Sequence, residues 1–264
     1  MHLSAGFSVR QSVGRAPGWS LLTSHLTGFR ACAAVPNILH TKQALSSMAG
    51  RVSKEDYRTY WETTWKGDLK PGEKFDAGKA APVLKALLDD AGPECEGKTA
   101  LVPGCGRGYD VIEFAQHGCM ATGLEISPSA TEAANRYADD SGLGAERSKA
   151  TFVTGDFFHH PHQYDYGYDY TFMCSFVPDK RSDWADTWGR LIKPGGELIT
   201  LIFPVGLGVP EPPPFDVTPE QYEKLLIPHG FHKILIEKLP DNMSHKPRAG
   251  KEWIGRWRKT SASL

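Results

Sequence analysis

The sequence predicts an α/β fold, a doubly wound, mostly parallel seven-stranded sheet with helices on both faces. Three observations carry this expectation. Short apolar runs alternate with amphipathic stretches over residues 98–258, the pattern of successive strand–helix units. The first apolar run passes into a glycine-rich turn, ALVPGCGRGYD (100–110), which opens directly onto a helical segment. Finally, 264 residues with 40% hydrophobic and 23% charged side chains suffice for one substantial domain with modest extensions.

Taken in order, Lys98–Pro103 reads as a buried strand and the segment after Gly108 as a helix through His117. Cys119–Glu125 (CMATGLE) is a second strand. Ser127 can cap the next helix, with Pro128 at its first position and an end near Asp139. Ala150–Val153 and Tyr168–Cys174 are further strands. Lys180–Ile192 reads as a helix stopped by Lys193-Pro194-Gly195-Gly196, and Glu197–Phe203 as a strand. A proline-rich loop, Val209–Pro214, leads into a helix at Pro219–Leu226. Strands at His232–Glu237 and Glu252–Arg258 close the pattern.

Residues 1–50 are a different material from the body at 51–264. They contain Arg10, Arg15, Arg30 and Lys42, many serines, and no Asp or Glu before Glu55. That is the composition of a mitochondrial presequence; a low-complexity leader, or an extension upstream of a start at Met48, competes with it. The predicted compartment is therefore cytoplasmic or mitochondrial, not secreted. A formal charge of -1 offers no basic footprint for nucleic acid, and no apolar run approaches the ~18 residues of a membrane span. The five scattered cysteines, Cys32, Cys95, Cys105, Cys119 and Cys174, form no C-x-x-C pair and read as thiols of a reducing compartment. His159, His160 and His162 lack a fourth ligand at recognised spacing, so no metal is expected.

Function is read outward from the glycine loop. Gly104, Gly106 and Gly108 permit positive φ and close approach to the backbone. Their G-x-G-x-G spacing is not the dinucleotide fingerprint, and Asp110 in the first helical turn would oppose a pyrophosphate. The loop suits a nucleoside without phosphates. Glu125, at the end of the second strand, can accept from both ribose hydroxyls. Asp156, just past the third strand, can accept from an adenine amino group while Phe157 packs on the ring. In that order, at successive strand ends, these residues describe an adenosine cradle for S-adenosylmethionine. A nicotinamide oxidoreductase is opposed by the glycine spacing and by Asp110. A binding module that keeps the cofactor fold without turnover predicts S-adenosylhomocysteine binding and no methylated product.

The body resembles the thiopurine S-methyltransferase superfamily, in particular its thiol and halide methyltransferase branch. The resemblance is carried by YWETTW (60–65), KFDAGKAAP (74–82), LVPGCGRGYD (101–110), GLEIS (123–127), GDFF (155–158), YDYTFMCSFVPDKRSDW (168–184), LIKPGGELITLIFP (191–204), PPF (213–215) and KEWIGRWRK (251–259). It spans about residues 57–259 and implies a class I methyltransferase fold. It also implies that Trp61 and Trp65 cover the cofactor with Phe75 as a third aromatic, and that Gly104 and Gly106 lie in the cofactor loop. It places Glu125 on the ribose, Asp156 and Phe157 at adenine, Tyr170 as the family's tyrosine on the fourth strand, and Arg181 in the acceptor pocket. Three positions depart from the halide branch: Val177 for an acid, Phe203 for a tyrosine, and Pro212 for a glycine.

The implied reaction is an in-line displacement on a sulfonium, which needs alignment, exclusion of water and aromatic walls. Arg181 is the expected attractor of an anionic acceptor, unless it is a surface charge paired with Asp179 or Asp183. The expected acceptor is a small thiol or soft anion such as hydrosulfide, thiocyanate or halide. The departures keep a larger aromatic or heterocyclic acceptor open. Cys105 is expected to serve by its small size rather than as a nucleophile.

Overall fold

The computed structural model describes residues 54–260 except 68, 91 and 209–211; the predicted leader, Cys32 and the first residues of the proline-rich loop lie outside them. Two helices come first, α1 (Lys54–Lys66) and α2 (Pro82–Asp89). Alternation follows with β1 (Thr99–Pro103), α3 (Tyr109–Gln116), β2 (Met120–Glu125), α4 (Pro128–Asp140), β3 (Ala150–Thr154) and β4 (Tyr164–Tyr170). The chain continues through α5 (Arg181–Leu191), β5 (Ile192–Ile202), α6 (Pro219–Leu226), β6 (Phe231–Lys238) and β7 (Trp253–Lys259). Ser127 does cap α4: its hydroxyl accepts from the Ala130 amide at 3.1 Å. Thr218 and Gln221 form a reciprocal capping box on α6.

One seven-stranded sheet results, in the order β3-β2-β1-β4-β5-β7-β6. Every pairing is parallel except those of β7, which runs against β5 and β6. Strand periodicity sorts the core into two layers. Leu101, Leu198 and Ile202 pack with Trp184, Trp188 and Leu226 of α5 and α6. Ala100, Val102, Ile199 and Leu201 pack with Leu84, Val111 and Phe114 of α2 and α3. The predicted doubly wound sheet is therefore present, and β1 beside β4 is the switch point whose carboxyl ends open a crevice.

The fourth strand lies earlier than the expected Tyr168–Cys174. Acids and Gly167 give YDYGYDY a turn-like composition, yet each finds a partner in the sheet or in the layer packed on it. Asp165 accepts from the Thr99 amide and hydroxyl and from Lys193. Gly167 lets the Trp188 ring lie on the strand; a Cβ there would stand 2.5 Å from it. Asp169 is fully buried, where it accepts from the Trp184 indole at 2.7 Å and from the Met173 amide at 3.2 Å. The strand ends because Thr171 turns to φ 55°. The helices α1 and α2 were not expected. Among the described residues, no helix is long and apolar enough to cross a membrane.

Candidate active site

Where β1, β2, β3, β4 and β5 end, the chain encloses a cavity of about 750 Å³, within the range of small-molecule and cofactor sites. Its floor is the glycine loop. Gly104 and Gly106 line it at φ 59° and 53°, a region that L side chains avoid. The space their missing Cβ atoms would fill is taken by the protein's own rings: Phe172 would lie 2.5 Å from one at Gly104, and Trp65 3.1 Å from one at Gly106. Gly108 is not on the wall. It caps α3 in the left-handed conformation, with Phe152 2.4 Å from where a Cβ would stand. Cys105 fits because Gly123 gives its sulfur room, and burial pushes its thiol pKa up.

Glu125 closes one side. Its carboxylate accepts from the amides of Gly106 (3.1 Å), Ile126 (2.8 Å) and Ser127 (3.2 Å). Burial raises its pKa, and these amides pull it back. Phe157 lines the cavity beside Gly155 and packs edge-on against Phe172 and Trp188. Asp156 adjoins it without being among the lining residues; its carboxylate accepts from the Phe158 amide at 3.1 Å and meets His159 Nδ1 at 2.7 Å. His160 bonds the Tyr164 hydroxyl at 2.8 Å, and among the described residues no group of His, Cys, Asp or Glu is placed to hold a metal.

The roof comes from the N-terminal segment. Trp61 and Trp65 of α1 stand edge-on to Phe75, with centroids 5.2 and 5.9 Å away, and all three line the cavity. Glu62 fastens α1 to the start of α4 by accepting from the Ser127 and Ser129 hydroxyls at 2.6 and 2.9 Å. Although partly desolvated, it is drawn down to a pKa of about 2 by these hydrogen bonds.

Tyr170, at the end of β4, presents its ring to the cavity while its hydroxyl donates to buried Glu252 at 2.5 Å. Burial holds its pKa far above the ordinary value, and the hydroxyl is committed to Glu252. Arg248 was missed in the sequence. It is 9% exposed, lies on the cavity wall between the Tyr170 and Phe203 rings (4.9 and 5.0 Å), and donates to the Phe75 carbonyl at 2.7 Å. HKPRAG carries no spacing signal, and the contact it makes spans 173 residues. Asp76 and Lys79 also line the cavity unforeseen.

Arg181 departs from the expected acceptor pocket. It does not line the cavity, and it is not a surface charge either. It is 7% exposed, donating to Gln221 Oε1 at 3.0 Å and the Asp216 carbonyl at 3.2 Å. Those oxygens on the α6 side hold the guanidinium away from the crevice. Of the departing positions, Phe203 lines the cavity, whereas Val177 is buried with its amide donating to Tyr57. Asp110 lines the wall, half-buried, and accepts from the Ala81 amide at 2.9 Å; desolvation lifts its pKa to about 7.

Compared with known proteins, the chain matches the thiopurine S-methyltransferase family over residues 57–262. The chain belongs to this family. It is a methyltransferase, with S-adenosylmethionine as methyl donor. It is 38% identical to "Probable thiol methyltransferase 2" of Arabidopsis thaliana over 221 residues, 83% of this chain and 93% of that protein. It is also 38% identical to "Thiocyanate methyltransferase 1" of Brassica oleracea over 201 residues, 75% of this chain and 84% of that one. Among solved structures, magnesium protoporphyrin IX methyltransferase of Synechocystis PCC 6803 shares the fold, with a TM-score of 0.55 and 17% identity over 84% of this chain and 94% of that one.

Proposed function

We propose that this methyltransferase transfers the donor's methyl group to a small thiol or soft anion, of the hydrosulfide, thiocyanate or halide kind. One observation carries the reading: the aromatic-walled cavity at the strand ends has a buried cation, Arg248, on its wall. The names of the two plant relatives point to a thiol and to thiocyanate among these acceptors.

The residues present fit the donor. Glu125 would hold the ribose hydroxyls, Gly104 and Gly106 would lie against its backbone-facing side, and Phe157 with Asp156 would take the adenine. Trp61, Trp65 and Phe75 would cover it. S-adenosylmethionine supplies an electrophilic methyl on a positive sulfonium, and aromatic faces attract such a cation. The chain's contribution is alignment and dryness: Tyr170 and Phe203 pack on Arg248, and the tryptophan roof excludes water. Arg248 takes over the attraction of an anionic acceptor that the sequence suggested for Arg181. A cation at that wall also favours the thiolate over the thiol, whose unperturbed pKa is about 8.5. No buried base is required for an acceptor that arrives as an anion.

The test is headspace detection of methanethiol, methyl thiocyanate and methyl iodide from purified protein, the donor and each acceptor. Volatile product from a small acceptor is the expected result; turnover confined to large aromatic thiols would replace the acceptor proposed. Binding of S-adenosylhomocysteine with no product from any acceptor would indicate a silent module. The compartment, cytoplasm or mitochondrion, rests on the composition of residues 1–50, and sequencing the mature N-terminus reads it.

A further inference from the structure

The segment between α1 and α2 carries Phe75 over the cavity, and polar contacts fasten it to the cofactor loop. Asp76 lies at their centre, its side chain 2% exposed. Its Oδ2 accepts from Arg107 Nε at 2.9 Å, and its Oδ1 accepts from the Tyr109 hydroxyl at 2.9 Å and the Gly78 amide at 2.8 Å. Arg107 also donates to the Leu69 carbonyl at 2.7 Å and lies over the Trp65 ring at 5.4 Å. Arg107 and Tyr109 flank Gly108, so the donors stand at the end of the loop that forms the cavity floor and at the first residue of α3. One carboxylate therefore joins roof to floor across 31 and 33 residues.

We propose that Asp76 is a positioning residue: gripped by Arg107 and Tyr109, it latches the aromatic roof onto the glycine loop and sets how fast cofactor leaves the cavity. The inference rests on the reading of this cavity as the cofactor site. Asp76 need not touch the reacting atoms. A cofactor sitting between floor and roof can exchange only when the two part, and the Asp76 contacts oppose that parting. Charge-assisted hydrogen bonds in a site this dry are the strong kind, so removing the charge raises the opening frequency. The neutral isostere Asp76→Asn keeps the volume and one acceptor oxygen, which separates the charge from the shape. Tyr109→Phe removes a single donor and leaves the Arg107 pair intact.

The test measures release of S-adenosylhomocysteine by stopped-flow tryptophan fluorescence, with hydrogen exchange of residues 69–78 in the ligand-free protein. Asp76→Asn is expected to speed release about tenfold and Tyr109→Phe about threefold, because the first weakens the Arg107 and Tyr109 bonds together while the second removes one of them. The double variant is expected to speed release by less than the product of the two single effects, since both donors share one carboxylate. The association rate changes little, and the KM for the donor rises more than kcat falls. Exchange accelerates in 69–78 and not in the central strands. Unaltered release from Asp76→Asn, or loosening spread evenly over the sheet, would overturn the latch. Wild-type protein without affinity for S-adenosylhomocysteine would overturn the cofactor reading and the latch with it, a result distinct from binding with unaltered release.

Discussion

The Glu125 carboxylate accepts the Gly106 amide at 3.1 Å, tying the tip of β2 to the floor of the cavity. The same group is thus both a brace for the glycine loop and the proposed ribose acceptor. Glu125→Gln keeps an acceptor for one amide and is expected to fold while losing about tenfold in S-adenosylhomocysteine affinity, near 1.4 kcal/mol. Isothermal titration calorimetry checks this; unchanged affinity would remove Glu125 from the ribose.

The roof distinguishes donor from product. S-adenosylmethionine is a cation at sulfur and S-adenosylhomocysteine is not, so ring–cation attraction acts on the donor alone. Trp61→Leu is expected to weaken donor binding about three- to tenfold more than product binding, given ~0.5–2 kcal/mol for such contacts. Equal losses would mean that Trp61 contributes only area.

Arg248 and Arg181 can be ranked directly. Arg248→Met is expected to raise the KM for an anionic acceptor about tenfold, more than Arg181→Met does, because only Arg248 lies on the cavity wall. The opposite ranking would return the anion to Arg181.

Asp110 gives a pH dependence whose sign follows from its raised pKa. An unfolded aspartate titrates near 3.9, and the folded one at about 7. The folded state therefore holds the proton more tightly, and that stabilisation is lost as pH rises from about 4 through 7. Asp110→Asn keeps an acceptor for the Ala81 amide without the charge. Its unfolding free energy in urea titrations should exceed that of wild type at pH 8.5 by an amount on the order of 2 kcal/mol, and show no such advantage near pH 4. Parallel curves for the two proteins would refute the burial argument.

Gly108 is a structural glycine of the loop, off the cavity wall. Gly108→Ala meets both a φ of 82° and the Phe152 ring, so it is expected to cost about 1–3 kcal/mol, seen as a lower Tm. Adding Phe152→Leu makes room and should recover part of that loss, a non-additive pair. Additive losses would place the strain in the backbone alone.

The strand–helix alternation was legible because most of the buried strands are short apolar runs, and the loop because three glycines interrupt one. The α4 cap could be read from Ser127-Pro128. The fourth strand was misplaced because its polar residues, Asp165 and Asp169, are satisfied by Thr99, Lys193 and Trp184, partners no local window contains. The tryptophan roof was legible through a family resemblance. Arg248 and Asp76 were not, since a cation or an acid in a loop carries no period; only folding shows that one meets Phe75 and the other Arg107. Arg181 shows the converse, a residue found in a motif whose hydrogen bonds turn it elsewhere.

The bond from Arg248 to the Phe75 carbonyl has a bearing on biosynthesis. Phe75 leaves the ribosome early, but Arg248 follows only after six of the seven strands, just ahead of β7. A growing chain can therefore shape the glycine loop long before its roof is fastened on both sides.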